Sequence, residues 1–181
     1  MSILKGKKIN LRALEPSDVD LLYEWENNSD IWSVSNTLVP FSRFILEKYI
    51  ADSHMDIFQT KQLRLMIDHY EENHTETIGA IDLYDFDPVN KRAGIGILIS
   101  DEKHRNKGFA SESLKILIDY SFAILQLHQL FCHIDCDNKN SIKLFEKFRF
   151  KITGEKKDWN KTGAGWKNEY MLQLIKPDSR Q

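Results

Sequence analysis

Cysteine is scarce in this chain, which carries only Cys132 and Cys136. On a β-strand, residues four positions apart share a face but lie roughly 13 Å from each other, which is too far for a disulfide bond. We therefore expect two buried thiols in a reducing compartment, and no disulfide framework, redox pair or zinc site.

Long apolar runs are also missing. No stretch approaches the length of a membrane span. Lys5, Lys7 and Lys8 interrupt the first fourteen residues before a secretory signal can form. These absences predict a cytoplasmic protein that has no membrane partner.

Several functional classes lack their signatures. The formal net charge of −2 and a pI near 6.3 argue against a dedicated nucleic-acid binder, which would usually be basic. The phosphate-binding pattern G-x-x-x-x-G-K-[ST] is absent, which argues against a P-loop protein. The six histidines show no metal-ligand spacing, so no metal is predicted, and no Ser, His or Cys set indicates a nucleophilic enzyme.

The residues that are present suit a single domain spanning residues 1–181, since 41% are hydrophobic and 29% charged. Periodicity predicts a mixed α/β domain with the order β-α-α-β-β-β-α-β-α-β-β. The predicted strands are 8–14, 62–70, 77–84, 95–100, 129–135, 150–159 and 166–175. Helices are predicted from Pro16 to Asn27, over 42–52, after Gly108 and over 141–148, with turns at 71–74 and 85–90. In the first helix Val19, Leu22 and Tyr23 are predicted to face the core. The second helix is predicted from residues at helical spacing, namely Phe44, Ile45, Lys48 and Tyr49.

Residues 95–111 are the most informative segment. A short apolar strand leads into a basic turn that contains Gly108, and a helical pattern follows at once. Such a turn presents unpaired backbone N–H groups at the positive end of the helix dipole, where phosphate binds. The strand can offer backbone hydrogen bonds to an extended ligand. Coenzyme A fits both halves, because a diphosphate lies in its middle and an amide-bearing arm extends from it.

Two motifs carry a family resemblance. Arg105-x-x-Gly108-x-Ala110, between strand and helix, resembles the acyl-CoA signature of the GCN5-related N-acetyltransferases. Residues 138–150 resemble a second segment of that family, although Phe145 stands where many members have tyrosine and Arg149 where glycine is usual. Residues 11–14 and 25–28 resemble the branch that holds ribosomal-protein and spermidine N-acetyltransferases. In this fold the fourth and fifth strands splay apart, and the acyl cofactor lies in the cleft between them.

The resemblance implies an acetyl-CoA site. The backbone of Ile97, Leu98 and Ile99 would pair with the pantetheine arm, and the turn would hold the diphosphate. Asn138 and Ser141 would touch the pantetheine or fix the start of their helix. The complete implied set is Ile97, Leu98, Ile99, Arg105, Asn106, Lys107, Gly108, Phe109, Ala110, Ser111, Asn138, Ser141 and Phe145. The alternative is an ordinary buried strand followed by a solvated basic turn.

Acetyl transfer to a primary amine requires removal of a proton, because the amine pKa is near 10.4. Strand alternation places Asp82 and Tyr84 on the cleft face, so we predict Asp82 as the general base; a structural hydrogen-bond network is the alternative. Asp85 is a second candidate. The N–H of Leu98 or Ile99 would stabilise the oxyanion. Since Phe145 cannot donate a proton, Ser141, a water or the departing ammonium would protonate the thiolate.

The acceptor is left open between a polyamine or diamine and the α-amine of a protein, and a non-catalytic acyl-CoA sensor is a third possibility. Glu26 is a candidate contact for a cationic substrate, and Glu169 resembles a carboxylate of the family without an assigned role. Trp32, Trp159 and Trp166 line an acceptor pocket or pack in the core. The choice of acceptor would depend on the shapes of the loop at 32–37 and of the hairpin at 159–166. Separately, the exposed faces of the helices and the hairpin allow a homo-oligomer.

Overall fold

The computed structural model describes residues 3–29, 31–32, 37–53, 55–71 and 74–177. Seven strands form one sheet: β1 Ile9–Arg12, β2 Leu63–Glu71, β3 His74–Asp87, β4 Arg92–Ile99, β5 Gln129–Asp135, β6 Lys151–Thr162 and β7 Gly165–Ile175. The helices are α1 Val19–Glu26, α2 Arg43–Asp52, α3 Ile57–Thr60, α4 Phe109–Ala123 and α5 Lys139–Lys147. Short 3-10 turns occur at Pro16–Asp18 and Glu102–His104. The predicted element order is confirmed, and α3 is an addition to it.

Helices cover both faces of the sheet, whose strand order is β1-β2-β3-β4-β5-β7-β6. Alternate residues of each central strand therefore enter different cores. In β3, Ile81 and Leu83 pack in the core that also contains α4 and α5, whereas Ala80 packs in the core of α1 and α2. Asp82 and Tyr84 share the face of Ala80, as the alternation predicts.

The predicted core face of α1 needs correction, and the core residues of α2 are not those whose helical spacing predicted it. Tyr23 is exposed, and Trp25 is buried beside Leu22. In α2 the core residues are Leu46 and Ile50. The helical spacing is confirmed, but the residues that enter the core are one position later than Ile45 and Tyr49. The reason is that α2 lies between the core and a cavity. Phe44 is exposed to solvent, whereas Ile45 and Tyr49 line the cavity.

Two further expectations differ from the structure. The segment 85–90 is not one turn, because β3 continues to Asp87 through a bulge at Asp85, which has a left-handed φ of 48°. Cys132 is buried as predicted, but Cys136 is only half-buried; both are free thiols. The turn predicted at 71–74 includes residues 72 and 73, which lie outside the described residues. Within the described ranges, no helix is long and apolar enough to cross a membrane.

The sheet splits between its two parallel strands. β4 and β5 pair only at Arg92–Gln129, Ala93–Leu130 and Gly94–Phe131. Beyond Gly94 and Phe131 the two strands diverge, while β4 remains paired with β3 and β5 with β7. Two strand edges therefore face each other across an open cleft, as the family resemblance implies.

Candidate active site

A cavity of about 770 Å³ occupies the split and continues under α1 and α2. This volume is typical of a site for a small molecule or cofactor. Of the predicted residues, the cavity lining includes Ile97, Leu98, Asn138, Ser141, Phe145, Asp82, Tyr84, Glu26, Glu169 and Trp159. The structure therefore brings together residues that are up to 143 positions apart in the chain.

The free edge of β4 supplies backbone groups to the cleft. The Ser100 N–H donates to the Ile78 carbonyl oxygen at 3.0 Å, and hydrogen-bonded pairs alternate along antiparallel strands. The Leu98 N–H is accordingly directed towards β3, and the N–H groups of Ile97 and Ile99 towards the cleft. This pattern favours Ile99 over Leu98 as an oxyanion donor. Gly79 permits the close approach of β3 to β4 at this point, because a Cβ there would lie 2.0 Å from the Leu98 carbonyl oxygen.

The basic turn ends at a helix start without a side-chain cap. Gly108 is the N-cap of α4 with φ of 90°, and the first intrahelical bond runs from the Glu112 N–H to the Gly108 carbonyl oxygen. Asn106 also adopts a left-handed φ, of 61°. The N–H groups of Phe109, Ala110 and Ser111 consequently precede the intrahelical bonding, an arrangement that suits a phosphate.

The side chains around this turn differ in their exposure and therefore in what they can offer a ligand. Arg105, Asn106, Lys107 and Gly108 are exposed, so they are accessible to a ligand. The Phe109 ring is 4% exposed and packs in the core, so Phe109 can offer only its backbone. The hydroxyl of half-buried Ser111 accepts a hydrogen bond from Lys147 at 2.8 Å.

The start of α5 forms another part of the cavity wall. The Asn138 side chain caps the helix by accepting from the Ser141 N–H at 3.1 Å. Phe145, one turn further, is 3% exposed and lies edge-on to Phe150 with ring centroids 5.0 Å apart. Asn138 therefore fixes the start of its helix, which was one of its two expected roles. The ring of Phe145 packs in the core and also forms part of the cavity wall.

On the β2–β3 side of the cavity, Arg64 holds two carboxylates. Its Nε and Nη2 donate to the two oxygens of Asp82 at 2.8 and 3.1 Å, and its Nη1 donates to Glu26 at 2.8 Å. Burial alone would lower the pKa of Arg64, but the attraction and hydrogen bonds of Asp82 outweigh it and raise the pKa above its usual range. Tyr49 lies 5.5 Å from the guanidinium, and burial raises the pKa of its phenol. Asp82 therefore belongs to a structural network, and its role as a base stays a prediction.

On the β5–β7 side, a second polar cluster surrounds Glu169. This carboxylate accepts from Lys156 at 2.7 Å and from Asn160 at 3.3 Å, and lies 3.6 Å from His133 Nδ1. Asn160 also donates to Asp135 at 2.6 Å. Glu169 is 6% exposed and is the most buried carboxylate of the cavity lining. The sequence interpretation missed Arg64, His133, Lys156 and Asn160.

Tyr84 lies between the two clusters. Its ring covers Gly94, where a Cβ would come within 2.3 Å of it, and packs edge-on against Phe131. Burial raises the pKa of Tyr84 above its usual range, so the phenol stays protonated. The same ring borders the next glycine, Gly96, because Tyr84 Cε1 would lie 4.0 Å from a Cβ there, an ordinary van der Waals distance.

The remaining candidates differ in position. Trp159 lines the cavity and its ring lies 4.5 Å from Lys156 Nζ. Trp166 is 60% exposed, and the Trp32 indole donates to the Glu26 carbonyl oxygen at 2.7 Å; neither is part of the described cavity lining. Asp85 is exposed at its bulge and is also outside that lining. Residues 33–36 of the loop at 32–37 lie outside the described residues.

Comparison with known proteins identifies the fold and the family. The model of the acetyltransferase (GNAT) domain matches residues 8–151. Spermidine N(1)-acetyltransferase of Escherichia coli K12 is 28% identical over 150 residues, which cover 81% of this chain and 75% of that protein. An uncharacterized N-acetyltransferase, p20, of Bacillus licheniformis is 27% identical over 97% of both chains.

Solved structures agree with this fold. The crystal structure of spermidine N-acetyltransferase from Vibrio cholerae in complex with CoA and spermine superposes with a TM-score of 0.83 at 24% identity. The match covers 94% of this chain and 96% of that one. An acetyltransferase of the GNAT family from Bacillus anthracis has a TM-score of 0.76 at 20% identity, covering 95% of this chain and 97% of that one. With the split sheet, the uncapped helix start and a family model that covers most of its length, the chain belongs to the GNAT acetyltransferases, whose acetyl donor is acetyl-CoA.

Proposed function

We propose that this N-acetyltransferase transfers the acetyl group of acetyl-CoA to a primary amine of a polyamine or diamine. The observation that carries the proposal is the charge of the cavity. Four carboxylates line it, those of Glu26, Asp82, Asp135 and Glu169, against the basic side chains of Arg64 and Lys156. Such an excess of negative charge at a cleft attracts a polycation.

The two clusters lie on opposite walls of the cavity, one on β2 and β3 and the other on β5 to β7. A polyamine carries several ammonium groups along a flexible apolar chain. One ammonium group could pair with Glu26, whose contact with Arg64 uses a single oxygen. The apolar segments suit the rings of Tyr49 and Trp159. The spermidine N-acetyltransferases among the relatives support the same acceptor class.

An amine panel tests this proposal. Thiol release from acetyl-CoA would be measured with spermidine, spermine, putrescine, a lysine-rich peptide and short peptides with a free α-amine. We expect turnover with at least one of the polyamines. Turnover with peptides alone would assign the protein to α-amine acetylation. If no amine is turned over and calorimetry shows tight acetyl-CoA binding, the result would favour a non-catalytic acyl-CoA sensor.

Substitution Glu26→Gln should raise the KM for spermidine about fivefold to tenfold, an effect of about 1 kcal/mol. The amide keeps a hydrogen-bond acceptor for Arg64 but removes one of the four carboxylate charges. The KM for acetyl-CoA should not change. Glu24→Gln is the matched control, because Glu24 lies on the same helix but is exposed. An equal KM change in both variants would contradict a direct contact.

Substitution Phe145→Tyr should leave acetyl-CoA affinity unchanged and raise kcat by up to about tenfold. The ring lines the cavity on one side, so a hydroxyl there could protonate the departing thiolate. The gain is limited because a thiol has a pKa of only about 8.5 and leaves readily. Single-turnover kinetics and calorimetry would check the result. Loss of acetyl-CoA binding would contradict this placement of the ring, because it would show that the site cannot accommodate a hydroxyl there.

A further inference from the structure

We propose that Tyr84 limits the size of the acyl group that this transferase accepts from its donor. The ring of Tyr84 lies across the closed end of the split between β4 and β5, where an acetyl group fits and a longer acyl chain does not. Tyr84 is thus a specificity-determining residue for the donor. The proposal goes beyond the acceptor proposed above, because it depends on the use of acetyl-CoA by the family and not on a polyamine.

The split has an open end and a closed end. The basic turn at 105–108 follows the C-terminal end of β4, at the open end, whereas the last pair that closes the split is Gly94 with Phe131. A donor whose diphosphate lies at the turn and whose arm runs back along β4 therefore has its acyl group towards Gly94. Because the acyl group is the last part of the donor, the closed end limits its length.

The free edge of β4 determines where the thioester lies. The N–H groups of Ile97 and Ile99 both face the cleft, since the Ser100 N–H donates to Ile78 on β3. In the pantetheine arm, the last amide carbonyl and the thioester carbonyl are separated by a nitrogen, two methylenes and a sulfur. This spacing is close to the two-residue repeat of a strand, roughly 6.7 Å. With the arm amide at Ile99, the thioester carbonyl reaches the Ile97 N–H, which then serves as the oxyanion donor in place of Ile99.

Beyond this thioester position, the space for an acyl group is bounded on three sides. Within the sheet, the two strands come together at Gly94. On one face of the sheet, Ile95 and Cys132 are 2% and 1% exposed and belong to the core that contains α4 and α5. On the other face lies the Tyr84 ring, which a Cβ would approach within 2.3 Å at Gly94 and 4.0 Å at Gly96. An acyl chain longer than acetyl therefore meets this ring.

Contacts with three strands hold the Tyr84 ring in place. Tyr84 of β3 pairs with Gly94, whose missing side chain lets the ring cross β4. On β5 the ring packs edge-on against Phe131, with the ring centroids 5.8 Å apart. The His133 N–H is also directed to the cleft, because the alternate N–H groups of β5 bond to β7, and it faces the phenol oxygen. A ring that is held at both ends acts as a fixed barrier.

The barrier is uncharged. Burial is the main cause that raises the pKa of Tyr84 above its usual range, so the phenol is neutral. A neutral ring presents an apolar surface to the acyl group, and it therefore discriminates by size and not by charge. In an apolar pocket, one methylene group changes kcat/KM by about 10-fold to 200-fold.

Calorimetry with acetyl-CoA, propionyl-CoA and butyryl-CoA tests the proposal without an acceptor. We expect the wild-type protein to bind butyryl-CoA at least about tenfold more weakly than acetyl-CoA. In Tyr84→Ala the two affinities should become nearly equal, because the space of the ring becomes available to the acyl chain. Equal affinities in the wild-type protein, or the wild-type ratio in Tyr84→Ala, would overturn the proposal.

Two control variants separate the ring from its hydroxyl and from the rest of the cavity. Tyr84→Phe keeps the ring and removes only the hydroxyl, so the wild-type ratio of affinities should persist. Tyr49→Ala removes the same atoms from another wall of the cavity, beside Arg64, and should also keep the ratio. A loss of discrimination in either control as large as that in Tyr84→Ala would overturn the assignment to the Tyr84 ring.

Substitution Gly96→Ala gives a test that does not depend on the folding of Tyr84→Ala. The added methyl group would lie 4.0 Å from Tyr84 Cε1, an ordinary van der Waals distance, so the sheet accommodates it. Because it narrows the closed end, it should weaken propionyl-CoA binding relative to acetyl-CoA by about a further tenfold. An unchanged or smaller ratio would overturn the proposal even if Tyr84→Ala failed to fold.

Turnover distinguishes a failure of this proposal from a failure of the proposed acceptor. With an amine that the wild-type protein acetylates, kcat/KM should follow the same order of donors, and Tyr84→Ala should lose that order. If no polyamine is acetylated but the three affinities behave as expected, the acceptor proposal fails and the role of Tyr84 stands. If a polyamine receives butyryl as fast as acetyl from the wild-type protein, the acceptor stands and the role of Tyr84 fails.

Discussion

Substitution Gly108→Glu should weaken acetyl-CoA binding by at least about 100-fold, the equivalent of about 2.7 kcal/mol. Gly108 caps α4 with φ of 90°, a conformation that residues with a Cβ rarely adopt. The added carboxylate would also lie among the N–H groups and basic side chains that suit the diphosphate. Charge-assisted hydrogen bonds contribute about 1.5–3 kcal/mol each, so losing two of them accounts for the effect. Calorimetry with acetyl-CoA measures it directly.

The control for this prediction is Gly165→Glu. Gly165 also has a left-handed φ, of 131°, and open space at its Cβ position, but it lies in the β6–β7 hairpin. Strain alone should lower the melting temperature in both variants, whereas only Gly108→Glu should lose acetyl-CoA. Equal affinity in the two variants would mean that the turn at 105–110 does not bind the diphosphate.

Substitution Arg64→Met should destabilise the protein by about 3–5 kcal/mol, the usual result of breaking a buried ion pair from one side. The Arg64 side chain is 20% exposed, as are its partners Asp82 and Glu26. Without the guanidinium, two carboxylates remain close together with no counter-charge. Urea denaturation at pH 7 would measure the loss of unfolding free energy.

Two further variants isolate the cause. Arg43→Met removes an arginine that pairs with Asp20 on the surface, where both side chains are more than half exposed, and it should change stability little. Arg64→Met combined with Asp82→Asn should recover part of the lost stability, because the second change removes one unpaired charge. If the double variant were no more stable than Arg64→Met, packing and not charge would explain the loss.

Local patterns were sufficient for much of the fold. The strand 129–135 has the predicted bounds, and the helix after Gly108 begins at the predicted residue, since turn chemistry and periodicity are properties of neighbouring residues. Helical spacing alone did not identify the core face of α2, because Ile45 and Tyr49 border a cavity that no local pattern reveals. The length of β3 was underestimated because a bulge at Asp85 imitates a turn in sequence.

The amino-acid sequence by itself determined the order of elements, the basic turn before α4 and the family resemblance, all of which depend on residues close together in the chain. Only the tertiary structure decided which side chains meet in the cavity. Arg64 reaches Asp82 across a strand pair and Glu26 from a helix 38 residues away, and His133 meets Lys156 and Glu169 from two later strands. Sequence alternation could place Asp82 on the correct face, but it could not show that its oxygens are already bonded. The register of seven strands sets those distances.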